Sequence, residues 1–221
     1  MITWLAPGDP ADKFPAVELA LHDPPGLLAA GGDLSCERLI AAYRRGIFPW
    51  YSAGQPVLWW SPDPREVLIP QEFHCSRSLR RALRTRGFEY HVDRDFKAVL
   101  AACAAPRRSG SGTWITAEMR AAYTALHRRG IAHSAETWRD GALVGGVYGV
   151  RLGRVFFGES MFSLAPDASK AALWGLVRQC LADGTVLIDC QLASAHLRSL
   201  GSRAIPRPEF LARLGQAGVA S

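Results

Sequence analysis

The feature that most constrains the fold is a regular run of strand and helix patterns between residues 131 and 188. Two apolar segments, 131–138 and 142–150, are joined by Asp140-Gly141, a dipeptide typical of a tight β-hairpin turn. A third strand is predicted at 155–157, then a helix from its N-cap Asp167 to Gly184, and then a buried strand at 185–188. Because crossover connections usually join parallel neighbours, we predict that this last strand pairs in parallel with the strand before the helix.

A meander, a helix and a further strand form the layout of an acetyltransferase-like (GNAT-like) α+β domain. Upstream, we predict helices at 76–86, after a cap at Asp93, and after a cap at Thr116. Residues 1–34 are rich in turn formers, a short helix begins after Ser35, and residues 61–64 are rich in proline. We therefore predict a small N-terminal domain at 1–61 and the acetyltransferase-like catalytic domain at 62–221.

The composition limits the classes of protein to which this chain can belong. No apolar run approaches the ~20 residues that span a bilayer, and the N-terminus lacks the basic and apolar regions of a secretory signal. The five cysteines and six histidines are scattered without the spacing of metal ligands. We expect a cytoplasmic monomer with no metal and no membrane attachment.

Positive charge is concentrated in one segment. Residues 77–108 contain nine cations and three acids. The net charge of this segment is therefore +6, the same as that of the whole chain. Arginine forks bind phosphate well, although a GC-rich genome enriches arginine for no functional reason, so the segment alone leaves nucleic-acid binding open. Four arginines are predicted on one face of the helix at 76–86: Arg77, Arg80, Arg81 and Arg84.

Three polar residues are candidates for chemistry. Glu159 and Asp189 are each predicted to follow a strand, at the edge where open sheets bind ligands. Gln191 lies two residues beyond Asp189, so in an extended chain their side chains share a face. A carboxylate beside a neutral amide can hold an amine and accept its proton. The alternative is that Asp189 caps the next turn and Glu159 is a solvated loop acid.

Covalent catalysis and coenzyme A both fit the sequence poorly. Ser160, Cys190 and Ser134 lack the neighbours that would activate a nucleophile, so direct transfer is predicted. The loop before the helix at Asp167 is apolar and has no glycine, whereas a pyrophosphate site needs a glycine-rich anion nest.

Seven segments together resemble the bacterial leucyl/phenylalanyl-tRNA–protein transferase family across nearly the whole chain. They are GLLAAGGDLS (26–35), RGIFPW (45–50), LWWSPDPR (58–65), GTWIT (112–116), LVGGVYG (143–149), FGESMFS (157–163) and LIDCQ (187–191). The resemblance implies transfer of Leu or Phe, and less well Met, from Leu-tRNA or Phe-tRNA to proteins with an N-terminal Arg or Lys. It further implies that this marks them for degradation by the N-degron route, without a cofactor.

The resemblance also implies residue roles. Asp189 and Gln191 would sit at the reacting amine, with Asp189 relaying its proton or orienting it. Glu159 would help to orient these groups or the cationic acceptor. The pocket for the apolar side chain would be lined by Phe156, Met161, Leu173 and Ile188. Trp50 and Trp114 would flank the terminal adenosine, and the four helix arginines would hold tRNA phosphates. Ala135 and Val147 depart from the family's pattern and could shift the preference between Leu and Phe.

Two rival functions remain open at this point. The first is an acyl-CoA-dependent N-acyltransferase of the same fold, which the apolar loop and the arginine helix disfavour. The second is a non-catalytic RNA-binding module, which would explain the arginines but leave Glu159, Asp189 and Gln191 without a role.

Overall fold

The computed structural model describes residues 2–105 and 115–219, which form two sheets. The smaller sheet has the strand order β1-β2-β4-β3. Its strands are β1 (Thr3–Leu5), β2 (Leu27–Gly31), β3 (Phe48–Pro49) and β4 (Leu58–Trp60). Helix α1 (Cys36–Arg44) lies between β2 and β3 and begins at the predicted cap, where the Ser35 side chain accepts a hydrogen bond from the Arg38 amide.

The larger sheet has seven strands in the order β11-β5-β10-β9-β8-β7-β6. Only the β9–β10 pair of this described sheet is parallel. Its strands are β5 (Arg65–Leu68), β6 (Glu89–Val92), β7 (Ala132–Arg139), β8 (Ala142–Leu152), β9 (Val155–Ser163), β10 (Leu187–Gln191) and β11 (Arg203–Ile205).

Helices cover both faces of this sheet. They are α2 (Arg77–Thr85), α3 (Phe96–Ala104), α4 (Ala117–Arg128), α5 (Ala168–Ala182), α6 (Ala195–Arg198) and α7 (Arg207–Gln216). Alternate strand residues enter two different cores. Phe156 packs with apolar residues of α2 and α5, whereas Phe157 packs with those of α1, α3 and α4. The period of two in β9 therefore places α5 on one face and α3 and α4 on the other.

The predicted α+β class and its layout are confirmed. The Asp140-Gly141 turn joins β7 to β8 with φ values of 51° and 73°, which suit the twist of a two-residue hairpin. Strand β10 pairs in parallel with β9 after the α5 crossover. The boundary between residues 61 and 62 stays a prediction, since one apolar core joins residues of both sheets.

Two predicted helix caps are wrong. Asp95, not Asp93, caps α3; Asp93 instead accepts hydrogen bonds from the Ser134 amide and His133. Asp167 precedes α5 in a left-handed conformation without capping it, because its carboxylate binds Arg86 and Lys170.

The strand limits also differ from the prediction. Glu159 and Asp189 lie inside β9 and β10 and do not follow them, because β9 continues its pairing with β8 as far as Ser163. Within residues 2–105 and 115–219, no helix is both long and apolar enough to cross a bilayer.

Candidate functional site

The candidate site opens where β9 and β10 separate. Their parallel pairing runs from Val155 and Leu187 to Phe157 and Asp189 and then ends. Strand β9 continues beside β8, while β10 turns away at Gln191, whose φ is 62°. Beyond the last pair the two strands bound a cavity of about 290 Å³, slightly below the usual range for small-molecule pockets.

Apolar side chains form most of the wall of this cavity. Three of them, Met161, Leu173 and Ile188, belong to the predicted side-chain pocket. The others are Val147, Leu176 and Leu197. This lining suits an apolar side chain such as that of Leu or Phe, which is unbranched at Cβ, because it offers burial without fixed polar partners.

The fourth predicted pocket residue lies elsewhere. Phe156 pairs with Ile188 across the parallel strands and is buried in the same apolar core as Leu173. It lines a separate cavity beside Tyr90 and Cys180. The structure therefore brings three of the four predicted residues to the site cavity and places Phe156 behind its wall.

Glu159 is a buried titratable group of the site with a strongly shifted pKa. Its side chain is only 8% exposed, and burial raises the pKa of its carboxyl to about 7. The hydroxyls of Tyr43 and Tyr123 donate to its two oxygens at 2.7 and 2.8 Å and oppose this rise. Asp189 raises the pKa further by repulsion. A carboxyl poised near neutral pH can either accept or give a proton.

Asp189 is committed to an internal ion pair. Its two oxygens accept hydrogen bonds from Arg65 Nε and Nη2 at 2.8 and 2.7 Å, and both side chains are fully buried. The guanidinium lies 4.7 Å from the ring centres of both Phe48 and Phe210. Because its oxygens are held by this fork, Asp189 is better placed to orient neighbours than to exchange protons.

Gln191 joins the two carboxylates. Its backbone amide donates to Asp189 Oδ1 at 2.9 Å, and its side-chain Nε2 donates to Glu159 Oε1 at 2.8 Å. The three predicted residues thus form one connected group. The argument from a shared extended face was wrong, however, because a register shift and the positive φ of Gln191 turn the chain between them.

Sequence reasoning missed three residues of this group, Tyr43, Tyr123 and Arg65. A signal existed for both tyrosines, since each lies among the apolar residues of its helix face and a buried hydroxyl requires a partner. Nothing in the local sequence around Arg65 distinguishes it from an exposed arginine.

The candidate nucleophiles gain no support. Burial raises the pKa of the Cys190 thiol well above its usual range, which disfavours the reactive thiolate. Ser134 donates to Glu136 and lies outside the cavity lining. Ser160 lines the cavity, but the only histidine that also lines it within the described chain is His196 of α6, and no hydrogen bond links the two.

The remaining predicted residues lie away from the cavity lining. Trp50 is 39% exposed on the smaller sheet, with its ring 5.5 Å from that of Trp60. Trp114 is outside the described residues. Arg77, Arg80, Arg81 and Arg84 are all exposed on α2, and none forms an ion pair with another described residue. Nor do the described ranges contain a cluster of three or more metal-ligating side chains.

Comparison with known proteins confirms the resemblance seen in the sequence. A family model described as leucyl/phenylalanyl-tRNA protein transferase matches residues 67–215, and the model of that family's N-terminal domain matches residues 32–63. A leucyl/phenylalanyl-tRNA–protein transferase of Azotobacter vinelandii is 63% identical, covering 90% of this chain and 88% of its own length. One of Pseudomonas entomophila is 59% identical, covering 98% and 95%.

Likeness to solved structures is more distant. A GCN5-related N-acetyltransferase from Kribbella flavida aligns with a TM-score of 0.40 and 11% identity. The alignment covers 74% of this chain and 58% of that one. A likeness at this level carries no argument about function.

Proposed function

The chain belongs to the leucyl/phenylalanyl-tRNA–protein transferase family, and from this premise we propose that it transfers Leu or Phe from aminoacyl-tRNA to the N-terminal amine of a protein. The enzyme class is aminoacyltransferase. The observation that carries the proposal is Glu159, a carboxyl with a pKa of about 7 in the lining of a largely apolar cavity. It offers a proton acceptor beside a pocket suited to Leu or Phe.

The reaction needs one new bond and one broken bond. The acceptor's uncharged amine attacks the ester carbonyl carbon, a C–N bond forms, and the C–O bond to the terminal ribose breaks. The amine loses a proton and the leaving ribose oxygen gains one, so the products are an amide and a free tRNA hydroxyl. Because the ester is already activated, positioning and management of this proton supply most of the catalysis.

We assign the role of accepting the amine's proton to Glu159 and not to Asp189. Glu159 titrates near neutral pH, whereas Asp189 is held by Arg65. In this scheme the Arg65–Asp189 pair fixes the Gln191 backbone, and the Gln191 amide orients Glu159. Asp189 is then a positioning residue, which is one of the two roles that the resemblance implied for it.

The cavity accounts for the donor range that we propose. Burial of an apolar side chain against its apolar wall is favourable. Such pockets, however, discriminate between side chains of similar shape by only ~1–3 kcal/mol of binding free energy. Acceptance of Leu and Phe, with Met as a poorer donor, fits this limited discrimination. Val147, which departs from the family's pattern, lines the cavity and is well placed to adjust it.

Further parts of the proposal rest on the resemblance. We propose acceptors with an N-terminal Arg or Lys, a role in marking them for degradation, and action as a cytoplasmic monomer. We also propose that the exposed arginines of α2 bind tRNA phosphates, which fits their lack of acidic partners. Trp50 and Trp114 would flank the terminal adenosine.

Coenzyme A remains a poor fit. The loop that precedes α5 has no glycine to form an anion nest. The Ser169 amide in the first turn is already bonded to Ser163 Oγ at 3.1 Å. An anion at this helix end would have to displace that bond.

The decisive experiment measures transfer of radiolabelled leucine from Leu-tRNA to a peptide that begins with Arg. The same peptide beginning with Ala and a leucyl-CoA donor are the controls. We expect transfer only from tRNA and only to the Arg peptide. Transfer from leucyl-CoA would support the acyl-CoA rival, and tRNA binding without any transfer would support the non-catalytic module.

A further inference from the structure

One polar side chain of the cavity wall has no role in the group around Glu159. His196 lies on α6 and lines the cavity together with Met161 and Leu173. Its Nε2 atom is shielded from solvent and has no hydrogen-bond partner among the described residues. A buried polar atom without a partner is destabilising, and such atoms in native proteins usually meet a ligand or a water.

The imidazole is suited to accept a hydrogen bond. Burial, followed by the charge of Lys170, lowers its pKa below the usual histidine value. The ring is therefore neutral at physiological pH, and a neutral imidazole has one nitrogen that accepts. Rotation about the bond between Cβ and the ring is a soft torsion, so the ring can turn Nε2 towards a molecule in the cavity.

Most acceptor positions on the carboxylates of the site are already occupied. Glu159 Oε1 accepts from both Tyr43 and Gln191. Asp189 Oδ1 accepts from Arg65 and the Gln191 amide, and its Oδ2 accepts from Arg65. An amino group that enters the cavity therefore finds few free acceptors, and His196 Nε2 becomes one of them when the ring turns towards the cavity.

We propose that His196 is a substrate-binding residue whose Nε2 accepts a hydrogen bond from the α-amino group of the donor aminoacyl ester. This inference rests on the proposed function, because it takes the donor to be an amino acid esterified to tRNA. It gives the enzyme a means to select aminoacyl esters over simple acyl esters of the same shape. The apolar wall alone cannot make that distinction, since it contacts only the side chain.

The test compares two stable ligands by calorimetry with the full-length protein. One is adenosine that carries phenylalanine through an amide linkage, and the other is its counterpart in which hydrogen replaces the α-amino group. We expect the wild type to bind the amino compound about 5–10-fold more tightly, as one hydrogen bond provides. His196→Phe should bind both equally, and His196→Gln, which keeps a polar acceptor, should retain part of the preference.

His74 is exposed outside the cavity lining, so His74→Phe should keep the wild-type preference, and thermal melting checks that each variant folds. An unchanged ratio in His196→Phe, or no preference in the wild type, would overturn the inference. Because binding is measured without transfer, these results leave the leucine-transfer assay as a separate test of the proposed function.

Discussion

At the scale of single residues, the chemistry depends on a balance at Glu159. Burial favours its protonated form, while hydroxyls from two helices favour the carboxylate. The outcome is a pKa of about 7, where proton transfer to and from the group is most effective. Small changes in either contribution should therefore be visible in the pH dependence of the reaction.

Removing one hydroxyl should shift the pH profile in a known direction. If the Glu159 carboxylate accepts the proton, kcat/KM for the wild type rises as the pH passes through about 7. In Tyr123→Phe a hydrogen bond that lowers the pKa is lost, so the rise should occur at higher pH. Initial rates across a pH series, with one acceptor peptide, measure this.

A matched variant isolates the effect. Among the residues that the structure describes, the Tyr51 hydroxyl bonds only to Thr116, at 3.2 Å, and Tyr51→Phe should leave the midpoint in place. A midpoint for Tyr123→Phe at or below that of the wild type would contradict the assignment of Glu159 as the proton acceptor.

At the scale of elements, strand pairing and helix packing hold the site residues in place. The Arg65–Asp189 pair joins β5 to β10 in a fully buried setting. Removing one partner leaves the other as an uncompensated buried charge, which is far more destabilising than the loss of an exposed pair.

Replacing Arg65 should therefore make the protein less stable to unfolding. We expect Arg65→Met to lower the free energy of unfolding by about 3–5 kcal/mol, and Arg65→Met with Asp189→Leu to recover part of it. Arg203→Met, which breaks a half-exposed pair with Glu72 at 3.2 Å, should change it by less than about 1 kcal/mol. Urea denaturation followed by fluorescence gives these values. A double variant as unstable as Arg65→Met would count against the ion-pair explanation.

Close packing of α5 on β8 supports the cavity wall. A Cβ atom at Gly145 would lie 2.5 Å from the backbone carbon of Ala168, at the start of α5. Backbone at that distance has to move, and α5 carries Leu173 and Leu176 of the cavity lining. The glycine therefore couples a strand position to the shape of the pocket.

Gly145→Ala should weaken both stability and donor binding. We expect a loss of about 1–3 kcal/mol in the free energy of unfolding, as overpacking usually gives, together with a higher KM for Leu-tRNA. Gly215 lies in α7 with nothing near its missing Cβ, so Gly215→Ala should be stabilising by up to about 1 kcal/mol. A Gly145→Ala protein with unchanged stability and KM would show that α5 adapts freely.

At the scale of the whole molecule, unpaired charge is unevenly placed. The four arginines of α2 are exposed without ion pairs to other described residues, while Arg203 and Arg213 have carboxylate partners. Contacts between arginine and phosphate release counterions and make binding depend on salt. The proposed tRNA surface can therefore be separated from ordinary surface charge.

Salt dependence should identify the tRNA surface. With Arg80→Ala and Arg84→Ala together, we expect a higher KM for Leu-tRNA and a plot of log KM against log salt that is less steep by about 1–2. Arg203→Ala with Arg213→Ala removes the same charge and should leave the slope unchanged. Equal slopes for all three proteins would place the tRNA elsewhere.

The sequence by itself determined the class of fold, the hairpin at Asp140-Gly141 and the parallel β10, because these follow from local turn chemistry and the period of apolar residues. It also indicated Glu159, Asp189 and Gln191, since short motifs carry them. Only the tertiary structure decided what these residues do. Tyr43, Tyr123 and Arg65 lie 116, 36 and 124 positions from the carboxylates that they bind. Burial and partners so distant in the chain arise from packing, and they set the pKa of Glu159 and occupy Asp189.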